Sequence, residues 1–236
     1  MSLSQFQEYI GMHGGAEWLL TWLGLQWCFR IVAGFLMFCA HTIYGKVILM
    51  TDWSKEPEDA RPSKGTWFTW AAMDMTILIF MFMEGTATSM VAVDGTINLI
   101  IFLIALWVGT NSWTIVEKCC VCITLVGIVL YLTFGNTAPG LLCACVATTS
   151  GVIPTWLKER STPGGEDKTA WALWMASCVC GVIGIPDLLE PWKLTVANAA
   201  QPLAFTIVCG SMTLLLFVLN PYFPLPQEET EALEAS

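Results

Sequence analysis

Apolar residues occur along this chain in seven long stretches, with short polar or turn-forming segments between them. Each stretch is close to the length of about 20 residues that a helix needs to cross the hydrocarbon core of a bilayer. Proline and glycine are concentrated in the intervening segments, where helices are expected to end. The pattern predicts transmembrane helices over residues 31–50, 66–83, 90–108, 119–134, 140–156, 169–185 and 195–219.

The composition agrees with a membrane environment. The 236-residue chain is 56% hydrophobic and only 12% charged, whereas a typical soluble domain is about 25% charged. Its ten cysteines lie almost wholly in the apolar stretches, where a thiol behaves as a small apolar group. No basic stripe of the kind that binds nucleic acid is present in the sequence. We therefore expect an integral, multi-pass protein of a plasma membrane or a bacterial inner membrane.

Two parts of the sequence are similar to each other at an offset of 103 or 104 residues. The matching segments are DWSKE at 52–56 and TWFTW at 66–70 in the first copy, and TWLKE at 155–159 and AWALW at 170–174 in the second. At the same offset, Asp94 aligns with Asn198. Internal similarity of this kind indicates a duplicated structural unit.

The duplication predicts the architecture. We expect an all-α membrane protein in which two triple-helix bundles, residues 31–108 and 140–219, are joined by a linker helix within residues 109–139. Because the linker adds an odd helix, the two bundles should run parallel, as in transporters that bind substrate between two repeats. Residues 1–30 are predicted to form an interfacial segment, although their Trp-rich part could instead begin the first helix. Residues 220–236 are predicted to form an acidic tail.

Basic residues predict the orientation of these helices. They are concentrated in the loops after the first, third and fifth spans: Lys55, Arg61, Lys64, Lys118, Lys158, Arg160 and Lys168. Short cytoplasmic loops carry an excess of Lys and Arg. We therefore expect the N-terminus to be outside and the acidic C-terminus to be cytoplasmic.

Polar and aromatic residues within the spans are the candidate binding site, because polar groups in a bilayer are costly unless they face protein or water. The candidates for substrate binding are Trp70, Asp94, Asn98, Trp174, Asn198 and Gln201. Asp94 and Asn98 share one face of the third span, four residues apart. Flat aromatic surfaces with a few hydrogen-bonding groups suit a neutral polar ligand such as a sugar, nucleoside or vitamin. Interhelical hydrogen bonding is an alternative role for Asn198 and Gln201.

Further residues suggest proton coupling and gating. His41, Asp74 and Asp94 are predicted to lie within the spans, where carboxylates and histidine can relay protons. Pro154 and Pro202 interrupt the predicted fifth and seventh helices and are candidate hinges. Tryptophans at span ends commonly anchor at the membrane interface, which is the alternative for Trp67 and Trp171. Glu84 and Glu117 also lie at span ends, where a solvated role is expected.

In organisation, residues 31–219 resemble the SWEET sugar transporters, their PQ-loop relatives and the PnuC-type vitamin transporters. In SWEETs, a pair of polar residues on the third and seventh spans holds the substrate, and Asp94 and Asn198 stand at the corresponding positions. PnuC-type proteins carry a Trp-x-x-Trp motif on the sixth span that contacts a nucleoside-like ligand, and residues 171–174 match it. The chain lacks a Pro-Gln dipeptide in the first and fifth spans, so the resemblance implies a divergent member.

We expect a transporter for a small neutral polar molecule that works by alternating access between the two repeats. A seven-helix receptor or sensor for a small molecule, or an accessory membrane subunit without transport, are the alternatives. No catalytic set, metal-ligand cluster or cofactor motif is recognised in the sequence, so no enzyme activity, metal or cofactor is expected. The expected partners are the lipid bilayer and a small-molecule substrate, without nucleic acid, and a homo-oligomer is left open.

Overall fold

The structure is a computed structural model that describes residues 22–52, 63–111, 113–161, 163–164, 166–185, 188 and 195–222. Within this part of the chain every regular element is helical, and no β-strand occurs. The predicted segment 1–30 is therefore described only from residue 22 onwards, and nearly all of the predicted tail 220–236 lies outside the described residues.

Eight helices and two short helical turns follow one another along the described chain. They are α1 (Trp22–Met50), α2 (Lys64–Met83), α3 (Ser89–Val108), α4 (Ile115–Phe134), α5 (Thr137–Gly151), α6 (Ile153–Ser161), α7 (Lys168–Ile183) and α8 (Val196–Leu214), then a π-helical turn (Leu215–Leu219) and a last turn (Asn220–Tyr222). Most of them begin at a side chain that caps free backbone N–H groups. The capping residues are Ser63, Thr88, Thr114, Asn136, Asp167 and Thr195.

Each predicted span coincides with a helix, although the ends differ. The first helix begins at Trp22, nine residues before the predicted start at 31, so the Trp-rich segment from this residue onwards belongs to α1. The predicted fifth span is divided between α5 and α6 next to Pro154, which has no backbone N–H to continue the helix. Helix α7 has 16 residues and is shorter than each of the six segments that are long enough to cross a membrane.

The described helices are those of a multi-pass membrane protein. Six segments of the described chain are long and apolar enough to cross a membrane, with α5 and α6 counted together as one of them. Large apolar side chains cover their outward surfaces, including Phe82, Leu132 and Phe134, which are 70% or more exposed. Such side chains would be unfavourable in water but match the apolar core of a bilayer.

The helices pack in two similar groups. In the first group α3 contacts both α1 and α2, and in the second group α8 contacts both α5 and α7. Between the groups, α1 packs against α7 and α2 packs against α5. Helix α4 lies against α5 and α2, and Gly127 and Gly140 permit the close approach of α4 to α5, because a Cβ atom on Gly127 would lie 3.0 Å from the Gly140 carbonyl oxygen.

Candidate functional site

A cavity of about 1310 Å³ lies between the two groups of helices. We call it the chamber. It reaches the end of the bundle at which α1 ends and α2, α4 and α7 begin, which we call the open face. Residues of the loops at this face line its mouth: Ser63, Thr110, Asn111, Gly164, Glu166 and Asp167.

Four buried polar residues meet at the inner end of the chamber, and we call them the polar cluster. They are His41 on α1, Asp74 on α2, and Asp94 and Asn98 on α3. His41, Asp94 and Asn98 line the chamber directly, while Asp74 lies behind Asn98. All four come from the first helix group, and each is at most 6% exposed.

Hydrogen bonds join the members of the polar cluster. The His41 Nε2 atom lies 3.2 Å from Asp94 Oδ1 and 3.1 Å from Asn98 Oδ1. The Asn98 Nδ2 group donates to Asp74 Oδ2 at 2.6 Å and to Asp94 Oδ1 at 3.3 Å. Asp74 Oδ1 and Asp94 Oδ2 are buried without a partner among the described residues. The two carboxyl groups are thus connected through one amide and retain further capacity to accept hydrogen bonds.

The other ring nitrogen of His41 has two neighbours with opposite requirements. Its Nδ1 atom lies 2.9 Å from the carbonyl oxygen of Met37 and 3.2 Å from the indole Nε1 of Trp174. The carbonyl oxygen can only accept a hydrogen bond, and the indole N–H can only donate one. A protonated Nδ1 therefore bonds to Met37, whereas an unprotonated Nδ1 accepts from Trp174.

Aromatic side chains form much of the chamber wall. Tyr44 of α1 lies between two tryptophans, with ring centroids 5.7 Å from Trp67 and 5.5 Å from Trp174. Trp171 packs edge-on against Trp174 at 4.8 Å, and Trp70 lines the same cavity. We call these five residues the aromatic wall. They come from both helix groups, whereas all residues of the polar cluster come from the first group.

Carboxyl groups surround the mouth of the chamber. Among the described residues, Glu117, Glu166 and Asp167 line it together with one basic residue, Lys158. Glu117 accepts a hydrogen bond from the hydroxyl of Thr66 on α2 and from the backbone N–H at the start of α4.

Glu166 lies in the loop before α7 and combines partial burial with acidic neighbours. Its Oε2 atom accepts a hydrogen bond from the indole of Trp171 at 2.9 Å. Loss of hydration raises the pKa of Glu166 to about 7, with the Trp171 hydrogen bond opposing the shift and the charge of Glu159 adding to it. The charge at the chamber mouth therefore changes near neutral pH.

Contacts between α1 and α7 join the two helix groups at the opposite end of the bundle, which we call the closed face. The Arg30 Nε group donates to the carbonyl of Gly184 at 2.8 Å, and the Gln26 amide donates to Ile185 at 2.6 Å. The hydroxyl of Ser89, at the start of α3, donates to the carbonyl of Arg30 at 2.5 Å. Gly34 leaves room for this approach, since a Cβ atom there would lie 2.6 Å from Ser89 Oγ.

A second contact between the groups lies at the same end, where α2 ends and α5 begins. The hydroxyl of Thr137 donates to a carboxyl oxygen of Glu84. The two interfaces between the groups are thus similar: α1 packs against α7 in one, and α5 packs against α2 in the other. Helix α5 takes the place of α1, and α2 takes the place of α7. No residue of either closed-face contact belongs to the chamber lining that is formed by the described residues.

The structure brings together part of the predicted site. Trp70, Asp94, Asn98, Trp174, His41 and Pro154 line the chamber, and Asp74 completes the polar cluster. Asn198, Gln201 and Pro202, which follow one another on α8, are absent from the chamber lining. Gln201 is fully buried, and neither atom of its amide has a partner among the described residues. The roles of Gln201 and Asn198 in substrate binding therefore stay predictions, since neither residue lines the chamber in this conformation.

Several chamber residues were not among the predicted site residues. Glu117 was expected to be solvated at a span end, yet it is 2% exposed and faces the cavity. The sequence signal for its position is the capping box that it forms with Thr114. Tyr44 lies one helical turn from His41 and could have been found from that spacing. For Glu166 and Asp167 the sequence offers only a polar loop.

Comparison of the chain with protein-family models, with curated proteins and with solved structures gave no match. The class of protein therefore rests on the fold and on the chamber: an all-α, multi-pass membrane protein with a wide internal cavity.

Proposed function

We propose that the protein is a membrane transporter that carries a small polar molecule by alternating access. The observation that carries this proposal is the chamber, which extends from the open face to the buried polar cluster and includes no residue of the closed-face contacts in its described lining. A carrier needs a binding site that is reached from one side of the membrane at a time. The substrate classes that the sequence favours are sugars, nucleosides and vitamins.

The pairing of the helices supports a mechanism in which two halves move against each other. The central position of α3 in one group corresponds to that of α8 in the other, and the contacts between groups also match in pairs. This order is what two parallel triple-helix repeats with α4 as linker would produce. It is consistent with the resemblance to SWEET, PQ-loop and PnuC-type transporters, for which the present protein would be a divergent member.

The closed-face contacts support a gate. Arg30 and Gln26 hold α1 to α7, and Thr137 holds α5 to α2. All three bonds join opposite halves, so rocking of the halves would break them and open this face. With the orientation predicted from the basic loops, the open face is cytoplasmic and the closed face is external. Pro154 and Pro202 are the proposed hinges.

The two alternative partners of His41 support coupling to protons. When His41 is protonated on both nitrogens, Nδ1 bonds to Met37 and Nε2 faces the carboxylate of Asp94. When Nδ1 loses its proton, it accepts the indole N–H of Trp174. Because Trp174 lies on α7, this bond links the first half to the second. Proton binding at His41 would therefore release one link between the halves.

Transport into liposomes tests the proposed function. The full chain is reconstituted, and uptake of radiolabelled sugars, nucleosides and vitamins is measured with and without an imposed pH gradient. We expect saturable uptake of at least one class, with exchange against unlabelled substrate inside the vesicles. Saturable binding to the purified protein without uptake of any compound that binds would contradict a carrier and would favour the receptor alternative.

A further inference from the structure

We propose that the ligand of the chamber carries a positive charge, so that the aromatic wall and the acidic mouth together form a site for an organic ammonium or similar cation. The proposal rests on the transport function proposed above and names its substrate class. The sequence alone favoured a neutral ligand. The arrangement of charges in the folded chamber favours a cation instead.

The balance of charge in the chamber is the first argument. Asp94, Glu117, Glu166 and Asp167 contribute four carboxyl groups to the lining, against Lys158 and His41 as the bases of the described lining. Carboxyl groups therefore outnumber bases by two even when His41 is charged. A cleft with walls of one sign concentrates ions of the opposite sign. A neutral ligand would gain nothing from this excess.

The aromatic wall is the second, independent argument. The ring of Tyr44 lies between those of Trp67 and Trp174, with centroid distances of 5.7 and 5.5 Å. The ring of Trp171 packs edge-on against Trp174, with a centroid distance of 4.8 Å. Faces of several aromatic rings around one space bind ammonium groups through the negative potential of the rings. The indole N–H groups of Trp171 and Trp174 already donate to Glu166 and His41, so these two tryptophans offer faces and edges of their rings rather than free donors.

The depth of the polar cluster adds a third argument. Asp94 is part of the chamber lining. Its Oδ2 atom is buried and has no hydrogen-bond partner among the described residues. An unpaired carboxylate oxygen in a buried position is costly. An ammonium group that enters from the open face, passes the aromatic wall and reaches Asp94 would supply the missing hydrogen-bond donor or counter-charge.

Matched pairs of probes test the charge directly. Three cations are compared with neutral molecules of the same shape: choline with 3,3-dimethylbutan-1-ol, N-methylpyridinium with toluene, and 1,5-diaminopentane with pentane-1,5-diol. Binding to the purified full chain is followed by tryptophan fluorescence and by calorimetry. We expect at least one cation to bind about tenfold or more tightly than its neutral partner. If every neutral partner binds as well as or better than its cation, or if no cation binds, the proposal is wrong.

Charge variants provide a readout that misfolding cannot imitate, because they change affinity in opposite directions. Glu166→Gln with Asp167→Asn retains the hydrogen-bond acceptors while removing two charges, and should weaken cation binding. Lys158→Gln removes the opposing charge and should tighten it. Each charge should change affinity by about fivefold, as expected for charges several ångströms apart at a partly hydrated site. Asp52→Asn, at an exposed position outside the chamber, is the control. Equal effects of all three changes would overturn the proposal.

Replacing one ring tests the aromatic wall. Trp174→Leu should weaken cation binding by about 3- to 30-fold, the range expected for loss of a cation–π contact. Trp107→Leu is the matched control, because Trp107 is 90% exposed at the end of α3 and lies outside the chamber lining. Unchanged cation affinity in Trp174→Leu would contradict a site at this wall.

The outcomes separate this inference from the proposed function. Uptake of neutral solutes into liposomes without preference for any cation would leave the carrier standing and would overturn the cationic substrate. Tight and selective binding of a cation that never crosses the membrane would support the cation site and contradict the carrier.

Discussion

The two halves of the molecule have related helix arrangements but different chemistry. The first half contains His41, Asp74, Asp94 and Asn98 in one hydrogen-bonded cluster. At the position that corresponds to Asp74, the second half has Cys178, whose thiol contacts that of Cys209 at 3.6 Å. At this position the second half thus packs a thiol where the first half places a carboxyl group.

This difference indicates a division of roles between the halves. The cluster gives the first half the groups that can bind a proton or a cation. The second half contributes Trp171 and Trp174 to the wall and the carbonyl of Gly184 to the closed face. Only one half needs to contain costly buried polar groups, because residues of both halves line the same chamber. Polar residues of one half and rings of the other can therefore act on a single ligand.

The largest expected effect separates aligned positions of the two halves. Asp94→Asn should lower uptake by about 10- to 100-fold, since a hydrogen bond to a charged group is worth roughly 1.5–3 kcal/mol. Asn198→Ala should leave uptake within about twofold, because Asn198 is outside the chamber lining. Initial rates in liposomes measure both, and thermal unfolding of the purified variants verifies that each is folded. A loss in Asn198→Ala as great as that in Asp94→Asn would show that both aligned positions bind the substrate, as the sequence predicts.

A second large effect concerns the link between His41 and Trp174. His41→Gln removes the titrating group and its contact with Asp94, so uptake should fall by about tenfold, as expected for loss of a hydrogen bond of roughly 1.5 kcal/mol to a charged group. The remaining uptake should lose the part of its pH dependence that is due to His41 and keep only the smaller response of Glu166 near pH 7. Trp174→Phe is the matched comparison. It removes the indole N–H that donates to His41, but it keeps an aromatic ring and leaves the titrating imidazole in place. A pH profile of His41→Gln that still resembles that of the unmodified protein would exclude His41 as the proton carrier.

Much of the fold could be predicted because hydrophobic length and turn residues act locally. The helices α2, α3, α4 and α7 begin and end within a few residues of the predicted spans. Helix α1 begins earlier than predicted, since its Trp-rich first turns belong neither to a loop nor to a simple apolar run. The division of α5 from α6 follows from Pro154, which the sequence identifies, although its exact place does not.

Less of the site could be predicted, because it depends on contacts between helices. The spacing of Asp94 and Asn98 on one helix face is a local property and was recognised. Their contact with His41 depends on how α1 lies against α3, which one sequence does not specify. The same limit applies to Glu166, whose position results from the turn of a loop towards Trp171.

The two closed-face contacts offer a more moderate comparison of the halves. Arg30→Ala removes the bond to Gly184, and Thr137→Ala removes the bond to Glu84. Each should speed backbone hydrogen exchange in the helix ends that it joins by about fivefold, as expected when a net hydrogen bond of about 1 kcal/mol is lost. Mass spectrometry of peptides from these helix ends measures the change.

Thr133→Ala is the control for these exchange measurements, because its hydroxyl donates within α4 to Val129 and not between the halves. If both closed-face variants leave exchange unchanged, these contacts do not hold the face closed. If only Arg30→Ala has an effect, one interface dominates the gate.

The smallest expected effect is the pH response of the chamber mouth. The pKa of Glu166 is raised to about 7 by loss of hydration, so this residue becomes charged as pH rises from 6 to 8. The added negative charge should strengthen cation binding by about two- to fivefold over that range, with about half of the gain reached near pH 7. The raised pKa also means that the folded protein binds this proton more tightly than the unfolded chain, so the stabilisation it provides is lost as pH rises towards and through 7. Calorimetric titration at several pH values measures the affinity, and in Glu166→Gln this part of the pH response should disappear while that due to His41 remains.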